Sequence, residues 1–132
     1  MSDTEHLMEE ARDVAAQSYS PYSHFRVGAV VVAEDGRHFT GCNVENSAYG
    51  SSICAEANAI TSAVAAGVRR LTVVAVACLD TDECYPCGNC RQLMHEFAVA
   101  EVIVQDGTRG TRTHTLAALL PHAFGPENLQ NG

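Results

Sequence analysis

The residues best suited to chemistry in this 132-residue chain are six cysteines and one glutamate beside them. Cys54-Ala55-Glu56 and Pro86-Cys87-Gly88-Asn89-Cys90-Arg91-Gln92 each fall where a helix is expected to begin. Cys87 and Cys90 stand three apart and share a helical face, with Pro86 just ahead of the helix, where its missing N–H costs nothing. With Cys54 from the other helix they make three ligands for a tetrahedral zinc ion and leave the fourth position open to solvent, the pattern of a catalytic site. Three thiolates on a divalent ion leave one net negative charge. The positive ends of two helix dipoles, and Arg91 as the nearby cation, are expected to offset it and to favour thiolates at neutral pH.

Glu56, two residues beyond a ligand, is the candidate for moving protons; its alternative role is an acid interacting with the helix dipole. Two other readings of the cysteines stay open. Cys84, Cys87 and Cys90 repeat every three residues, so a closed four-thiolate structural site has a candidate fourth ligand, although Pro86 interrupts a helical face through Cys84 and closure would leave Glu56 idle. A redox Cys-x-x-Cys pair would leave Cys54 and Glu56 without a role. Cys42 and Cys78 fall in expected strands as small core residues, and Cys84 reads as a loop thiol.

The elements that must position these groups follow from periodicity. Leu7, Met8, Ala11, Val14 and Ala15 mark an amphipathic helix over residues 3 to about 17. Phe25 to Ala33 reads as a strand, Glu34-Asp35-Gly36 as a hairpin turn, and Arg37 to Asn43 as the returning strand. An alanine-rich helix is expected over 54–66 with Gly67 as its C-terminal cap, a buried strand from Leu71 to Cys78, a helix from Pro86 to about Ala98, and a strand from Val102 to Gln105. The alternation predicts right-handed crossovers in a three-layer α/β/α sandwich, a mixed sheet of about five strands in an α/β domain spanning residues 1–132, with an irregular tail over 121–132.

Composition narrows the partners. The chain is 46% hydrophobic and 18% charged, which supports a packed core and excludes disorder. Its formal charge is −8 and its eight basic residues are all arginine, without the basic footprint that binding a nucleic acid polymer requires. No apolar run approaches the roughly 20 residues of a membrane span, and the first residues do not read as a signal peptide. A cytoplasmic protein with reduced cysteines and no membrane partner is expected.

The chain resembles the zinc-dependent cytidine deaminases, in particular the small homotetrameric branch with cysteine as first zinc ligand. The resemblance runs through Tyr19-Ser-Pro-Tyr-Ser-His-Phe25 with Val27-Gly28-Ala29, Gly41-Cys-Asn-Val-Glu-Asn46, Cys54-Ala-Glu56, Pro86-Cys-Gly-Asn-Cys-Arg-Gln92 and Leu119-Leu-Pro-His-Ala-Phe-Gly-Pro-Glu127. It implies one Zn2+ per chain on Cys54, Cys87 and Cys90, and Glu56 as the catalytic proton shuttle, as the wider zinc deaminase signature has it. The implied activity is hydrolytic deamination of cytidine and 2′-deoxycytidine in pyrimidine salvage.

By the same resemblance, the backbone N–H of Ala55 holds the ring carbonyl, the backbone carbonyl of Tyr85 holds the amino group, and Asn43 and Glu45 hold the ribose hydroxyls. Phe25 lines the base pocket, while Tyr49 and Phe124 complete a neighbouring subunit's site. A carboxylate at Glu45 repels phosphate, which favours a free nucleoside over a nucleotide. Where many relatives follow Cys-Ala-Glu with an arginine, this chain has Ala57, which leaves Arg91 as the remaining cation near the sulfurs. Self-association is implied as well, helped by Ala55, Ala57, Ala59 and Ala63 as small residues for close helix packing. His24, His95 and Arg69-Arg70 read as solvent-facing. A deaminase for a modified cytosine nucleoside of the blasticidin S type, and a non-catalytic zinc module, are the rival readings.

Overall fold

In the computed structural model, residues 2–107 and 110–129 are described; the last three residues of the expected tail lie outside them. Helix α1 (Asp3–Ala15) starts at Ser2, whose hydroxyl accepts from the Glu5 amide, and it buries Leu7, Met8, Ala11 and Ala15. Strand β1 (Val27–Ala33) turns through Gly36, at φ 93°, into β2 (His38–Cys42). Helix α2 (Ala55–Ala65) ends against Gly67, at φ 96°, and leads to β3 (Leu71–Cys78). Helix α3 (Gly88–Glu96), β4 (Glu101–Gln105), β5 (Thr111–Thr115) and the short α4 (Leu116–Leu119) complete the order.

The five strands form one mixed sheet in the order β2-β1-β3-β4-β5. β1 pairs antiparallel with both β2 and β3, β3 runs parallel to β4, and β5 returns antiparallel to β4. Two cores lie on the two faces. On one, Leu7, Met8 and Ala11 of α1 meet Val30, Ala75, Ala77 and Ile103 of the sheet. On the other, Ala59, Ile60 and Ala63 of α2 and Cys90 and Met94 of α3 meet Val31, Val74, Val76, Val102 and Val104. The alternating partition of β1, β3 and β4 between two apolar layers is what makes these strands near-continuous hydrophobic runs, and it gives the three-layer α/β/α architecture expected.

Two glycines allow the layers to close. A Cβ on Gly28 would collide with the Ala11 carbonyl and the Ala15 amide of α1; one on Gly41 would lie 2.5 Å from the Ala59 nitrogen and 2.6 Å from the Ala55 oxygen of α2. These contacts correct one expectation. Ala55, Ala59 and Ala63 are wholly buried within this chain, against its own sheet, so they offer no surface to another subunit, and of the four expected alanines Ala57 alone is partly exposed. No helix among the described residues is long and apolar enough to cross a membrane.

The topology gathers one end of the sheet. β1 begins, and β2, β3 and β4 finish, on the same side, because Val27 pairs with Cys78 and Gly28 with Cys42, while β3 and β4 run together. The carboxyl ends of parallel strands, with helix N-termini above them, are where α/β sheets bind ligands.

Candidate active site

Cys54 and Cys87 are the N-cap residues of α2 and α3, both in extended backbone conformation and neither using its side chain to cap its helix. Cys90 lies one turn into α3, fully buried. The two helix starts therefore aim three sulfurs at one point. The Sγ atoms lie within 4.8 Å of one another, and Cys54 and Cys87 are 4.0 Å apart. Tetrahedral zinc with Zn–S bonds of about 2.3 Å would hold its sulfurs about 3.8 Å apart. The trio fits one Zn2+. It is also the one group of three or more metal-ligating side chains among the described residues, and Cys84 is not in it.

Without a metal, the sulfurs shift one another in opposite directions. The hydrogen bond from Cys90 brings the Cys54 thiol down to about 6, against burial that opposes it. Cys90 is driven strongly upward, first by that same contact with Cys54, then by burial and the nearby Glu56 carboxylate. A bound cation favours the thiolate form of all three.

Glu56, in the first turn of α2, is 4% exposed, and burial raises its carboxyl to about 7 from an ordinary 4.5. It can therefore hold or release a proton near neutral pH. It opens into a cavity of about 420 Å³ that is also lined by Cys54, Ala55 and Cys87 at the sulfur end. Phe25, Val27, Asn43, Glu45 and Tyr85 form other parts of the wall, so the expected residues Phe25, Asn43, Glu45, Ala55 and Tyr85 are brought together.

The polar groups at the mouth are rigidly held. Asn43 Oδ1 accepts from the Ser18 hydroxyl (2.6 Å) and the Val27 amide (2.9 Å), and its Nδ2 donates to the Phe25 carbonyl (2.8 Å). That leaves Asn43 a single N–H to offer a ligand, and it gives this residue a structural task at the entry to β1. Glu45 accepts from the amides of Tyr22 (3.0 Å) and Ser23 (3.1 Å) and from the Ser23 hydroxyl. The Ser23 hydroxyl bond is the main reason its carboxyl lies below the usual range.

Several expected residues lie elsewhere. Tyr49 is 77% exposed and sits edge-on to Tyr22, lining a neighbouring hollow with Ser23, Glu45 and Ser52. Phe124 is 59% exposed and outside the cavity, its carbonyl accepting from Gln92 Nε2 at 2.7 Å. Arg91 follows Cys90, but its Nε donates to the Pro86 carbonyl and its Nη1 to the Leu119 carbonyl, both at 2.9 Å. It braces the approach to Cys87 and ties α3 to the end of α4. His95, expected in solvent, is half-buried and 3.2 Å from Glu127, so α3 grips the tail at two points. Cys84 lies in the irregular segment between β3 and α3, a loop thiol as expected. It is buried on the cavity wall, and burial pushes its pKa far up. Ser23, Val27, Val76, Glu83 and Cys84 are lining residues not expected there; Ser23 and Val27 lie within the motifs Tyr19–Phe25 and Val27-Gly28-Ala29, while Val76 and Glu83 had no signal.

Residues 1–106 match the family model described as the cytidine and deoxycytidylate deaminase zinc-binding region. The chain belongs to this deaminase family. It is 43% identical over 129 residues to a cytidine deaminase of Sporosarcina psychrophila, covering 96% of this chain and 95% of that one. It is 42% identical to a cytidine deaminase of Mycobacterium tuberculosis over 125 residues, covering 93% and 90%. The crystal structure of cytidine deaminase from Burkholderia pseudomallei superposes with a TM-score of 0.86 at 41% identity, covering 94% of this chain and all of that one. Family membership makes zinc the metal for the three sulfurs and confirms the α/β architecture as the deaminase fold.

Proposed function

We propose that this chain, as one domain over residues 1–132, is a zinc-dependent hydrolase acting on the C–N bond of a cyclic amidine. It converts cytidine or 2′-deoxycytidine and water to uridine or 2′-deoxyuridine and ammonia. The observation that carries this reading is Glu56: a buried carboxyl with a pKa near 7, in the same cavity as three convergent cysteine sulfurs, in a chain of the deaminase family.

Cys54, Cys87 and Cys90 hold the zinc ion. When bound, it supplies the Lewis acidity that brings a water's pKa toward neutrality. Glu56 takes a proton from the water that adds to carbon 4 of the base and passes it to ring nitrogen 3; it then carries the remaining hydroxyl proton from carbon 4 to the amino group, so that the C4–N bond breaks, ammonia leaves and the carbonyl forms. The Ala55 N–H, in the unsatisfied first turn of α2, donates to the ring carbonyl, and the Tyr85 carbonyl accepts from the amino group. Phe25 packs on the base. Glu45 accepts from the ribose hydroxyls, and Asn43 contributes its remaining N–H.

Charge supports a nucleoside over a nucleotide. Glu45, Glu56 and Glu83 line the cavity and, among the described residues, no arginine or histidine does, so a phosphate would enter a field of its own sign. The exposed Tyr22, Tyr49 and Phe124 support self-association as a homotetramer in which aromatics from one subunit complete another's site. Pyrimidine salvage in the cytoplasm is the physiological setting of this reading.

Ammonia release should be measured from cytidine, 2′-deoxycytidine, dCMP, cytosine and blasticidin S, with and without a strong chelator. Cytidine and 2′-deoxycytidine should be turned over and chelation should stop both. Preferred turnover of dCMP would overturn the charge reading, and preferred turnover of blasticidin S would favour the rival deaminase. Glu56→Gln should lower turnover by about 10²- to 10⁴-fold while one zinc per chain remains. A zinc-loaded wild type with no cytidine turnover would point instead to a non-catalytic zinc module.

A further inference from the structure

Apart from Glu56, Gln105 is the one buried polar or charged side chain among the described residues, 6% exposed at the last position of β4. Burying a primary amide is unfavourable unless its hydrogen bonds are made inside the protein. They are made here, and all to one segment. Gln105 Oε1 accepts from the Cys78 amide at 3.3 Å, and its Nε2 donates to the Thr81 carbonyl at 2.8 Å. Its backbone carbonyl accepts from the Cys84 amide at 2.9 Å.

That segment, Cys78 to Cys84, leaves the sheet at the end of β3, and Asp80 within it accepts from the Arg26 amide at 2.7 Å and from the Arg26 guanidinium at 2.9 Å. Among the described residues its flanks make one backbone bond each, Leu79 N–H to the Arg26 carbonyl and Cys84 N–H to Gln105. Its remaining side-chain bonds form a knot around Gln105. The Thr81 hydroxyl donates to the Glu83 carbonyl at 2.7 Å and lies 3.1 Å from Cys78 Sγ, which itself donates to the Thr81 and Glu83 carbonyls. The three residues that emerge from the knot, Glu83, Cys84 and Tyr85, are consecutive members of the cavity wall, and Pro86-Cys87 follows at once.

We propose that Gln105 is a positioning residue for the deamination: its carboxamide fixes the turn that sets Glu83, Cys84 and the Tyr85 carbonyl on the cavity wall. Gln105 touches neither substrate nor metal ligand and acts through the backbone it binds. The inference rests on the reading that Tyr85 accepts from the amino group of the base. An aliphatic side chain would serve the core at this position more cheaply; only a group that both donates and accepts can close the turn between Cys78 and Thr81.

The test compares cytidine, which carries the 4-amino group, with uridine, which presents a carbonyl there and cannot donate to Tyr85. In Gln105→Met, of similar length but unable to make either bond, kcat/KM for cytidine should fall about tenfold, the value of roughly one hydrogen bond. Inhibition by uridine should stay within about twofold, and one zinc per chain should remain. Equal weakening of cytidine and uridine, or no change in either, overturns the proposal.

Amide hydrogen exchange of the peptide spanning residues 79–85 gives a second arm that does not depend on turnover. It should speed up by about tenfold in Gln105→Met, and unchanged exchange overturns the proposal even if the wild type proves not to be a deaminase. Should Gln105→Met fail to fold, Thr81→Val removes a hydroxyl of the same knot at an exposed site. It should shift the cytidine-to-uridine ratio in the same direction by about threefold, and an unmoved ratio counts against the proposal.

Discussion

Cys54, Ala55 and Glu56 reach the cavity from the first turn of an eleven-residue helix seated directly on Gly41, whereas Glu83, Cys84 and Tyr85 reach it from a segment without regular structure. On the first wall, precision comes from backbone geometry: the helix start fixes a ligand, an amide and an acid at once, and its register on β2 is fixed by backbone contact at a glycine. On the second, it comes from a few side-chain hydrogen bonds around Gln105 and from the Arg26–Asp80 pair. A reaction that needs a metal ligand and a proton carrier held to a fraction of an ångström benefits from the rigid wall. The irregular wall can be re-aimed by single substitutions, which suits it to selecting among bases.

The comparison breaks first at Gly41. Any side chain there meets the Ala59 nitrogen and the Ala55 oxygen, both main-chain atoms that cannot rotate away. Gly41→Ala should therefore lift α2 off β2 and lose about 3 kcal/mol of stability by denaturant unfolding, at the upper end of ordinary overpacking. Turnover should fall with it, because Cys54 and Glu56 ride on the displaced turn. If Gly41→Ala were as stable and as active as the wild type, the first wall would not be the rigid one.

Arg91→Ala sharpens the same contrast at the metal. The guanidinium braces the Pro86 carbonyl immediately before Cys87 and the Leu119 carbonyl beyond α3, and it adds the positive charge that Ala57 does not. Residues that orient ligands commonly contribute 10- to 100-fold in metal affinity, and about tenfold is expected for this one. Competition against a chromophoric chelator measures it directly. Unchanged zinc affinity and turnover would mean that neither the charge nor the brace matters.

The division between the walls also explains what could be read from the sequence. Helices and strands packed on both faces carry strong periodic signals, so Leu71–Cys78 was legible to the residue, and Cys54 and Cys87 announced themselves as helix starts by composition and spacing. Strand β5 was not legible: Thr111-Arg-Thr-His-Thr115 lies at the sheet edge, mostly exposed, and carries no apolar alternation. The small residues of α2 misled, since an alanine stripe looks alike whether it packs on a partner or on the chain's own Gly41. Gln105 had no signal, because its role arises from hydrogen bonds between residues more than 20 positions apart, and the spacing of Cys84 pointed to a metal site it does not join.

The Arg26–Asp80 pair gives the smallest effect and a pH signature for the irregular wall. Asp80 accepts from the Arg26 amide at 2.7 Å and from its guanidinium at 2.9 Å, tying the turn after β3 to the residue next to Phe25. These contacts, the side-chain bond foremost, hold the Asp80 carboxyl below its ordinary 3.8. A carboxyl whose pKa is lowered on folding stabilises the folded state above its unfolded pKa, and that contribution fades as pH falls through the folded value. Because the pair is exposed, Asp80→Asn should lower the thermal midpoint at pH 7 by less than about 3 °C. The gap between wild type and variant should then narrow as pH falls below about 4 and close once pH is below the lowered folded-state value, where both carry a neutral group at position 80. A gap that persisted unchanged into acid would show that the turn is held by neutral hydrogen bonds alone, leaving Gln105 as the main support of this wall.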